Sequence, residues 1–533
     1  MSEIPPFVNV PLKDFSLQAN RDAVETGLRL VESDIHASRL CAAPIVKGAT
    51  EPIGERVECF DPSASGTRIG SVTYATHDQA IAALSACSAG FRRWRNTPFE
   101  TRSQIIRRIG SIIQERSDYL TGLIIREAGK TWREADADVA EAIDFCMYYA
   151  NEMLRLGPPS RTDKVLGEEN IYFYQPRGVV AIIAPWNFPL AIACGMTVAA
   201  LVTGNTAILK PSEQTSLIAQ KLAEIILEAG VPHDAFAFLP GRGEEIGRTL
   251  VEHPLTAMVV FTGSRPVGLE ILRSAATVSP QQRGIKRVVA ELGGKNAIIV
   301  DSDADFDDAI RGVLQSAFGF AGQKCSACSR LIVVGEAYEP FLARLAAATS
   351  DLLVGPASNP ASFYGPVIDR EAYNRIVGTI SSAADLRLLV QGPVSESLQG
   401  AGWYVPPTIF RDVPTTHPVW REEIFGPVVA CVHAASFSEA LTLANDSEYA
   451  LTGGVYSRNP EHLAAARNEF EVGNLYINRG ITGALVCRQP FGGFRFSGIG
   501  SKAGGKDYLV QFMEPRTLTE NTMRRGFTPD LNS

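Results

Sequence analysis

Two kinds of hydrophobic pattern divide this chain. In the first 170 residues apolar positions recur at helical spacing: Ile105, Ile106, Ile109, Ile112 and Ile113 mark one face of a helix. Thr97-Pro98-Phe99-Glu100 before them reads as a capping box with proline at the first helical position, and a second helix is expected near 134–151. From Tyr172 the pattern changes to short β runs at 179–184, 206–209, 235–239, 257–261 and 288–290, separated by helices near 214–229, 244–251 and 265–276. Strand–helix alternation of this kind predicts a parallel, doubly wound sheet. A second alternating block starts at 296–300 and continues with Phe306, Ala309, Ile310, Val313, Leu314 and Ala317 at helical spacing, then a strand at 331–334. Two α/β domains with a boundary near 292–296 are therefore expected, and the end of the chain, from about 507, reads as a strand and a polar tail.

One run needs its own argument. Residues 178–209 carry no charge over 32 positions, long enough to span a bilayer. Pro185, Asn187, Pro189 and the Gly204-Asn205 turn punctuate it into strand, loop, buried helix (190–202) and strand, which argues against a membrane span. It also leaves a polar side chain, Asn187, in a loop within an apolar interior.

Composition narrows the class. At 533 residues, 45% hydrophobic and 20% charged, the chain is an ordinary globular one with room for two or three domains. A formal net charge of −8 argues against nucleic acid or an anionic membrane as partner. Nine scattered cysteines are not a disulfide framework and point to a reducing compartment, and the first residues lack the pattern of a signal or transit peptide; the cytoplasm is the expected location.

Several residues could carry chemistry. Cys325 and Cys328 form a C-x-x-C before the 331–334 strand. No histidine lies near enough in sequence to complete a zinc site, and a thioredoxin-like motif would open a helix instead. A nucleophilic thiol and two partly buried structural cysteines both remain open; Gly322 and Gln323 favour a loop with exposed backbone N–H groups that could lower a thiol pKa and bind an oxyanion. Glu291 ends an apolar strand before Gly293-Gly294, a costly place for an idle carboxylate, though an ordinary strand-end acid is the competing reading. No G-x-G-x-x-G or GK[ST] occurs. Gly263 and Ser264 lead from a strand into a helix, where backbone amides can meet a pyrophosphate, and Lys210, Ser212 and Glu213 follow another strand and could serve ribose hydroxyls.

Together the segments PWNFP (185–189), KPSEQT (210–215), FTGS (261–264), ELGGKN (291–296), GQKCSA (322–327), EEIFGPV (422–428) and PFGGF (490–494) resemble the aldehyde dehydrogenase superfamily over nearly the whole chain. GQKCSACSR (322–330), EADADVAEAIDF (134–145), FLPGRGEEIG (238–247) and NRGITGALV (478–486) resemble its 1-pyrroline-5-carboxylate dehydrogenase branch. Ala321 and Cys487 depart from that branch, which usually has Gln and Gly there.

The resemblance implies a Rossmann-type NAD-binding domain (1–157 and 177–293), an α/β catalytic domain (294–504) and a small β oligomerisation element (158–176 and 505–533) that makes at least a homodimer. It implies NAD-dependent oxidation of L-glutamate 5-semialdehyde to L-glutamate in proline breakdown, with another semialdehyde, succinic or α-aminoadipic, as the alternative substrate. Cys325 would be the nucleophile, Glu291 the hydrolytic base and Asn187 an oxyanion donor. NAD would be held by Ile183, Pro185, Trp186, Lys210, Ser212, Glu213, Gly241, Gly263, Ser264, Leu292, Glu423 and Phe425. The substrate would meet Glu141, Phe188, Ser326, Gly483, Ala484 and Phe491, with no metal. For Glu141 the residues themselves say otherwise: Glu134, Asp138 and Glu141 share one helical face that reads as solvated.

Overall fold

The computed structural model describes residues 6–523; the ends of the expected NAD-binding and oligomerisation segments, 1–5 and 524–533, lie outside the described residues. An eight-stranded sheet is built on five parallel strands in the spatial order Arg287–Glu291, Thr256–Thr262, Val179–Ile183, Thr206–Lys210, Phe236–Phe238. Chain order runs one way from Val179–Ile183 to Phe236–Phe238 and then returns to the other side. The reversal lies between Val179–Ile183 and Thr256–Thr262, and crevices for ligands open at the carboxyl ends of strands at such a point. The short strands Ile45–Val46 and Ala49–Thr50 at one edge and Gly498–Ile499 at the other add antiparallel pairings.

The chain leaves this sheet at Glu291 and enters the next at Asn296. The second sheet has seven strands, with Asn296–Val300, Cys328–Val334, Val428–Ala434, Thr452–Tyr456 and Asn474–Ile477 all parallel to their neighbours. A three-stranded antiparallel sheet joins Ser160–Arg161, Glu168–Pro176 and Met513–Asn521, the last exposed over nearly its whole length.

The uncharged run is accounted for within the first sheet. Strand, loop, the helix Ala191–Val202, buried at every position but Ile192, and strand follow one another as expected, and among the described residues no helix is long and apolar enough to cross a membrane. Two local expectations are corrected. Thr97 does not cap Phe99–Glu115; its hydroxyl donates back to the Arg93 carbonyl at the end of the preceding helix, and the capping box belongs to Thr76 and Gln79. The single helix expected at 244–251 is a π-helical turn, Gly243–Gly247, followed by Arg248–Glu252.

Candidate active site

The helix Trp132–Leu156 carries the acidic face, and that face is not solvated. Asp138 is fully buried; its Oδ2 accepts from Lys130 Nζ at 3.0 Å and its Oδ1 accepts from Ala191 N–H at 2.7 Å. Glu134 is paired with Lys324 at 2.6 Å, and that cation with Lys130 holds its carboxyl below the usual range against its burial. Glu141 has no such pairing: burial, then the neighbouring Asp138, push its carboxyl up to about 8. Two buried lysines, not solvent, balance these acids, because an uncompensated buried charge is costly.

Lys130 also organises the loop bearing Asn187. Its ammonium donates to the Asn187 carbonyl at 2.9 Å and lies 3.8 Å above the Phe188 ring centroid. The Asn187 side chain is 5% exposed and donates through Nδ2 to the Gln323 carbonyl at 3.1 Å, two residues before Cys325. An amide nitrogen carries two hydrogens, so one donor remains.

The segment before Cys325 is itself tightly packed, contrary to the expectation of an exposed loop. Phe320, Ala321 and Gly322 all have positive φ, and a Cβ on Gly322 would lie 2.3 Å from the Gly426 carbonyl oxygen. Gln323 is fully buried; its amide donates to the Phe320 and Pro366 carbonyls and accepts from Ile368 N–H. Beyond it, Cys325 is partly exposed and free, whereas Cys328 starts the next strand and is buried. Burial, then the carboxylates Glu423 and Glu291, push the Cys325 thiol up to about 12, while the N–H groups of Ser326 and of Cys325 itself oppose that rise. The same two N–H groups lie within hydrogen-bonding reach of the sulfur.

Glu291 has one carboxylate oxygen, Oε2, buried without a hydrogen-bond partner. Burial pushes its carboxyl up to about 8, against the fields of Lys502 and the Gly493 N–H. The glycine turn of 490–494 makes room for it: a Cβ on Gly492 would stand 2.8 Å from Glu291 Oε1. A proton acceptor poised near neutral pH beside a thiol suits hydrolysis of a thioester.

A cleft of about 520 Å³ opens at the reversal point of the first sheet, lined by Ile183, Glu213, Gln214, Arg242, Gly243, Gly247 and one side of the helix Arg265–Ala276. Lys210 Nζ bonds Glu213 Oε1 at 2.9 Å, and Ser212 Oγ bonds Gln214. Gly263 and Ser264 precede the helix, with Gly263 N–H spent on the Glu291 carbonyl. Gly241 stands behind the wall, its missing Cβ leaving space for Ile246. Leu292 packs under Gly268. Glu423 accepts from Gly294 N–H at 2.9 Å and is pushed up to about 7 by burial; Phe425, at φ 53°, meets Trp186 edge-on at 5.5 Å, beside Pro185. A long cleft with a ribose-competent acid and lysine, a helix start and a second acid next to the thiol fits a dinucleotide. Among the described residues no group of three or more His, Cys, Asp or Glu could hold a metal.

Ser326 is buried, its carbonyl accepting from Thr452 Oγ1 at 3.2 Å. Gly483, at φ 73°, is exposed, and Ala484 and Phe491 are half-buried. Cys487 has φ 68°, which explains why glycine is the usual residue at that place. The sequence reading missed Lys130, Lys324 and Lys502, and took the fully buried Gln323 for part of an exposed loop. The signal for the first two was present: three acids on one helical face need cations if that face is buried.

The model of the aldehyde dehydrogenase family matches residues 49–518. A 1-pyrroline-5-carboxylate dehydrogenase of Geobacillus sp. (strain WCH70) is 45% identical over 518 residues, covering 97% of this chain and 99% of the relative. The crystal structure of 1-pyrroline-5-carboxylate dehydrogenase from Thermus with bound NAD is 43% identical, with a TM-score of 0.94 over 98% of this chain and all of the other. Proline utilization A from Bdellovibrio bacteriovorus, inactivated by N-propargylglycine, is 47% identical with a TM-score of 0.95; this chain spans 54% of that longer one. By sequence along almost its whole length and by fold, the chain belongs to the aldehyde dehydrogenase family.

Proposed function

We propose that this chain oxidises L-glutamate 5-semialdehyde, the open form of 1-pyrroline-5-carboxylate, to L-glutamate with NAD⁺, the second oxidative step of proline breakdown. The observation that carries the reaction is the partly exposed thiol of Cys325, in the fields of the Glu423 and Glu291 carboxylates, with its own and the next backbone N–H aimed at it. Cys325 reacts as thiolate, its proton released to solvent: Sγ bonds the aldehyde carbon, and the resulting alkoxide accepts from the spare Asn187 Nδ2 hydrogen and the Cys325 N–H. NAD⁺, when bound, supplies the hydride acceptor, with Glu423 and Phe425 at the nicotinamide end and Lys210 and Glu213 at the adenosine end. The carbon left on sulfur is then a thioester. Glu291 takes a proton from water, the water oxygen attacks the thioester carbon, and the Cys325 thiol leaves with the carboxylic acid released.

Glu141 supports the choice of substrate: a buried carboxyl raised to about 8 regains a stable charge when an ammonium group reaches it. The backbone of Gly483 and Ala484 suits the α-carboxylate, and Phe188 and Phe491 suit the aliphatic chain. Succinic and α-aminoadipic semialdehydes are the competing substrates; the first lacks the ammonium that Glu141 would bind. The protein would act in the cytoplasm as a homodimer or larger homo-oligomer, pairing through the exposed strand Met513–Asn521 and its neighbours.

The test is chemical trapping. Glu291→Gln, mixed with NAD⁺ and semialdehyde, should form one NADH per site and leave a glutamyl thioester on the peptide carrying Cys325, read by mass spectrometry. NADH release without an acylated Cys325 would overturn the assignment.

A further inference from the structure

Glu291 and Lys502 form an unusual pair of charges. The Glu291 carboxyl is buried, with one oxygen unbonded and, among the described residues, no ion pair within contact distance. Lys502 is half-buried, and its ammonium is held by neutral oxygens alone: the Gly473 carbonyl at 2.7 Å, the Asn474 side-chain oxygen at 3.2 Å and the Gly492 carbonyl. Two of these three acceptors lie on glycine turns that abut: a Cβ on Gly473 would stand 2.1 Å from the Gly492 oxygen. A Cβ on Gly492 would meet Glu291 Oε1 at 2.8 Å on one side and the Lys502 Cα at 3.4 Å on the other. One glycine therefore separates the two charged residues.

Two cross-strand hydrogen bonds fix this spacing, Phe491 N–H to the Ala503 carbonyl at 2.9 Å and Ala503 N–H to the Phe491 carbonyl at 2.7 Å. Among the described residues, the titratable groups coupled to Glu291 are Cys325, Tyr508 and Lys502, and Lys502 is the one cation of the three. A cation clamped by neutral acceptors keeps its charge for the nearest carboxylate, and a nearby positive charge favours the ionised form of an acid.

We propose that Lys502 is a positioning residue for the general base: clamped by the glycine turns, its ammonium is the positive field that favours the ionised form of Glu291 against its burial, and it thereby sets the pH at which the Cys325 thioester is hydrolysed. This rests on the role given to Glu291 above. The field acts on water activation alone, so attack by Cys325 and hydride loss proceed without it. Losing it slows hydrolysis alone.

The experiment compares wild type with Lys502→Met, Lys502→Gln and Lys502→Arg, following NADH from L-glutamate 5-semialdehyde and NAD⁺ by stopped flow from pH 6 to pH 10. In Lys502→Met the midpoint of the kcat–pH profile should move up by about one unit or more. At neutral pH kcat should then fall about tenfold behind a burst of one NADH per site. The acylated Lys502→Met protein, freed of excess semialdehyde, should release its acyl group to hydroxylamine, which cleaves a thioester without a general base. Lys502→Gln still offers an amide hydrogen to the carbonyls but no charge and should behave as Lys502→Met, while Lys502→Arg should return the wild-type midpoint. A pH-independent loss in Lys502→Met without a burst, or a wild-type profile in Lys502→Gln, overturns the proposal and leaves Lys502 a brace for the turns. Absence of NADH from the wild type would instead overturn the functional reading itself.

Discussion

Replacing Lys130 by methionine separates the stability of the buried ion pair from its effect on catalysis. The ammonium makes four contacts at zero exposure: Asp138 at 3.0 Å, the Asn187 carbonyl at 2.9 Å, the Phe188 ring at 3.8 Å and the Phe320 ring at 5.0 Å. Its removal leaves Asp138 buried with the Ala191 N–H as its remaining donor, and breaking a buried pair in this way costs about 3–5 kcal/mol. Burial already raises the Asp138 carboxyl, and Lys130 opposes that rise. In Lys130→Met the folded-state value therefore climbs further above the unfolded one. A group shifted in this direction favours the folded state most when protonated, so the variant should be closest to wild type near pH 5 and lose ground as the pH rises to 8.

The catalytic effect has a different origin. Loss of an oxyanion donor costs about 10²–10³ in kcat, so a displaced Asn187 should lower kcat by about tenfold to a hundredfold with little change in the KM for NAD⁺. The double variant Lys130→Met, Asp138→Leu removes both charges and should recover most of the denaturant midpoint. It should not recover kcat, because nothing then anchors the Asn187 carbonyl. Urea titration and steady-state kinetics on the three proteins decide the matter, and a double variant with wild-type kcat would overturn the assignment of Lys130 as the anchor of the oxyanion donor.

Three further outcomes are expected. With Glu291 near 8, kcat limited by hydrolysis should rise about fivefold from pH 7 to pH 8 and then level off, since the protonated acid cannot accept a proton from water; a flat profile contradicts its role. Asn9 bridges Asp144 at 2.8 Å, one turn beyond Glu141, and the Val486 carbonyl at 3.0 Å, two residues beyond Ala484. Asn9→Ala should raise the KM for the semialdehyde about fivefold or more through these two bonds while changing kcat less than about twofold, and a fall in kcat at constant KM would sink the idea. Glu213→Ser removes a carboxylate placed where a 2′-phosphate would be repelled, and should narrow the kcat/KM preference for NAD⁺ over NADP⁺; an unchanged ratio would assign that discrimination elsewhere.

The parts of the fold legible in the sequence were those with a strong local pattern, an amphipathic helical face or a wholly apolar strand. The helix Arg265–Ala276 and the strand Asn296–Val300 lie where periodicity places them. The motifs bearing Cys325, Glu291 and Asn187 were legible because each sets a polar group into an apolar context. What stayed hidden depends on long-range pairing. The face of Glu134, Asp138 and Glu141 looks solvated until Lys130 and Lys324 are brought against it. Gln323 looks exposed until Pro366 and Ile368, some forty residues later, close over it. Thr97 matches a cap by local pattern, yet it belongs to the end of the preceding helix. Lys502 is silent in sequence, since its meaning lies in a turn that sets it one glycine away from Glu291.

Substrate choice is the central claim, and kcat/KM for NADH formation measures it most directly. Wild-type protein should be assayed with L-glutamate 5-semialdehyde, α-aminoadipic semialdehyde, succinic semialdehyde and a simple aliphatic aldehyde, each also with Glu141→Ala. The account predicts the highest kcat/KM for L-glutamate 5-semialdehyde, and a Glu141→Ala loss confined to substrates that carry an ammonium group. A higher value for succinic semialdehyde, or an equal loss on all four, would contradict it.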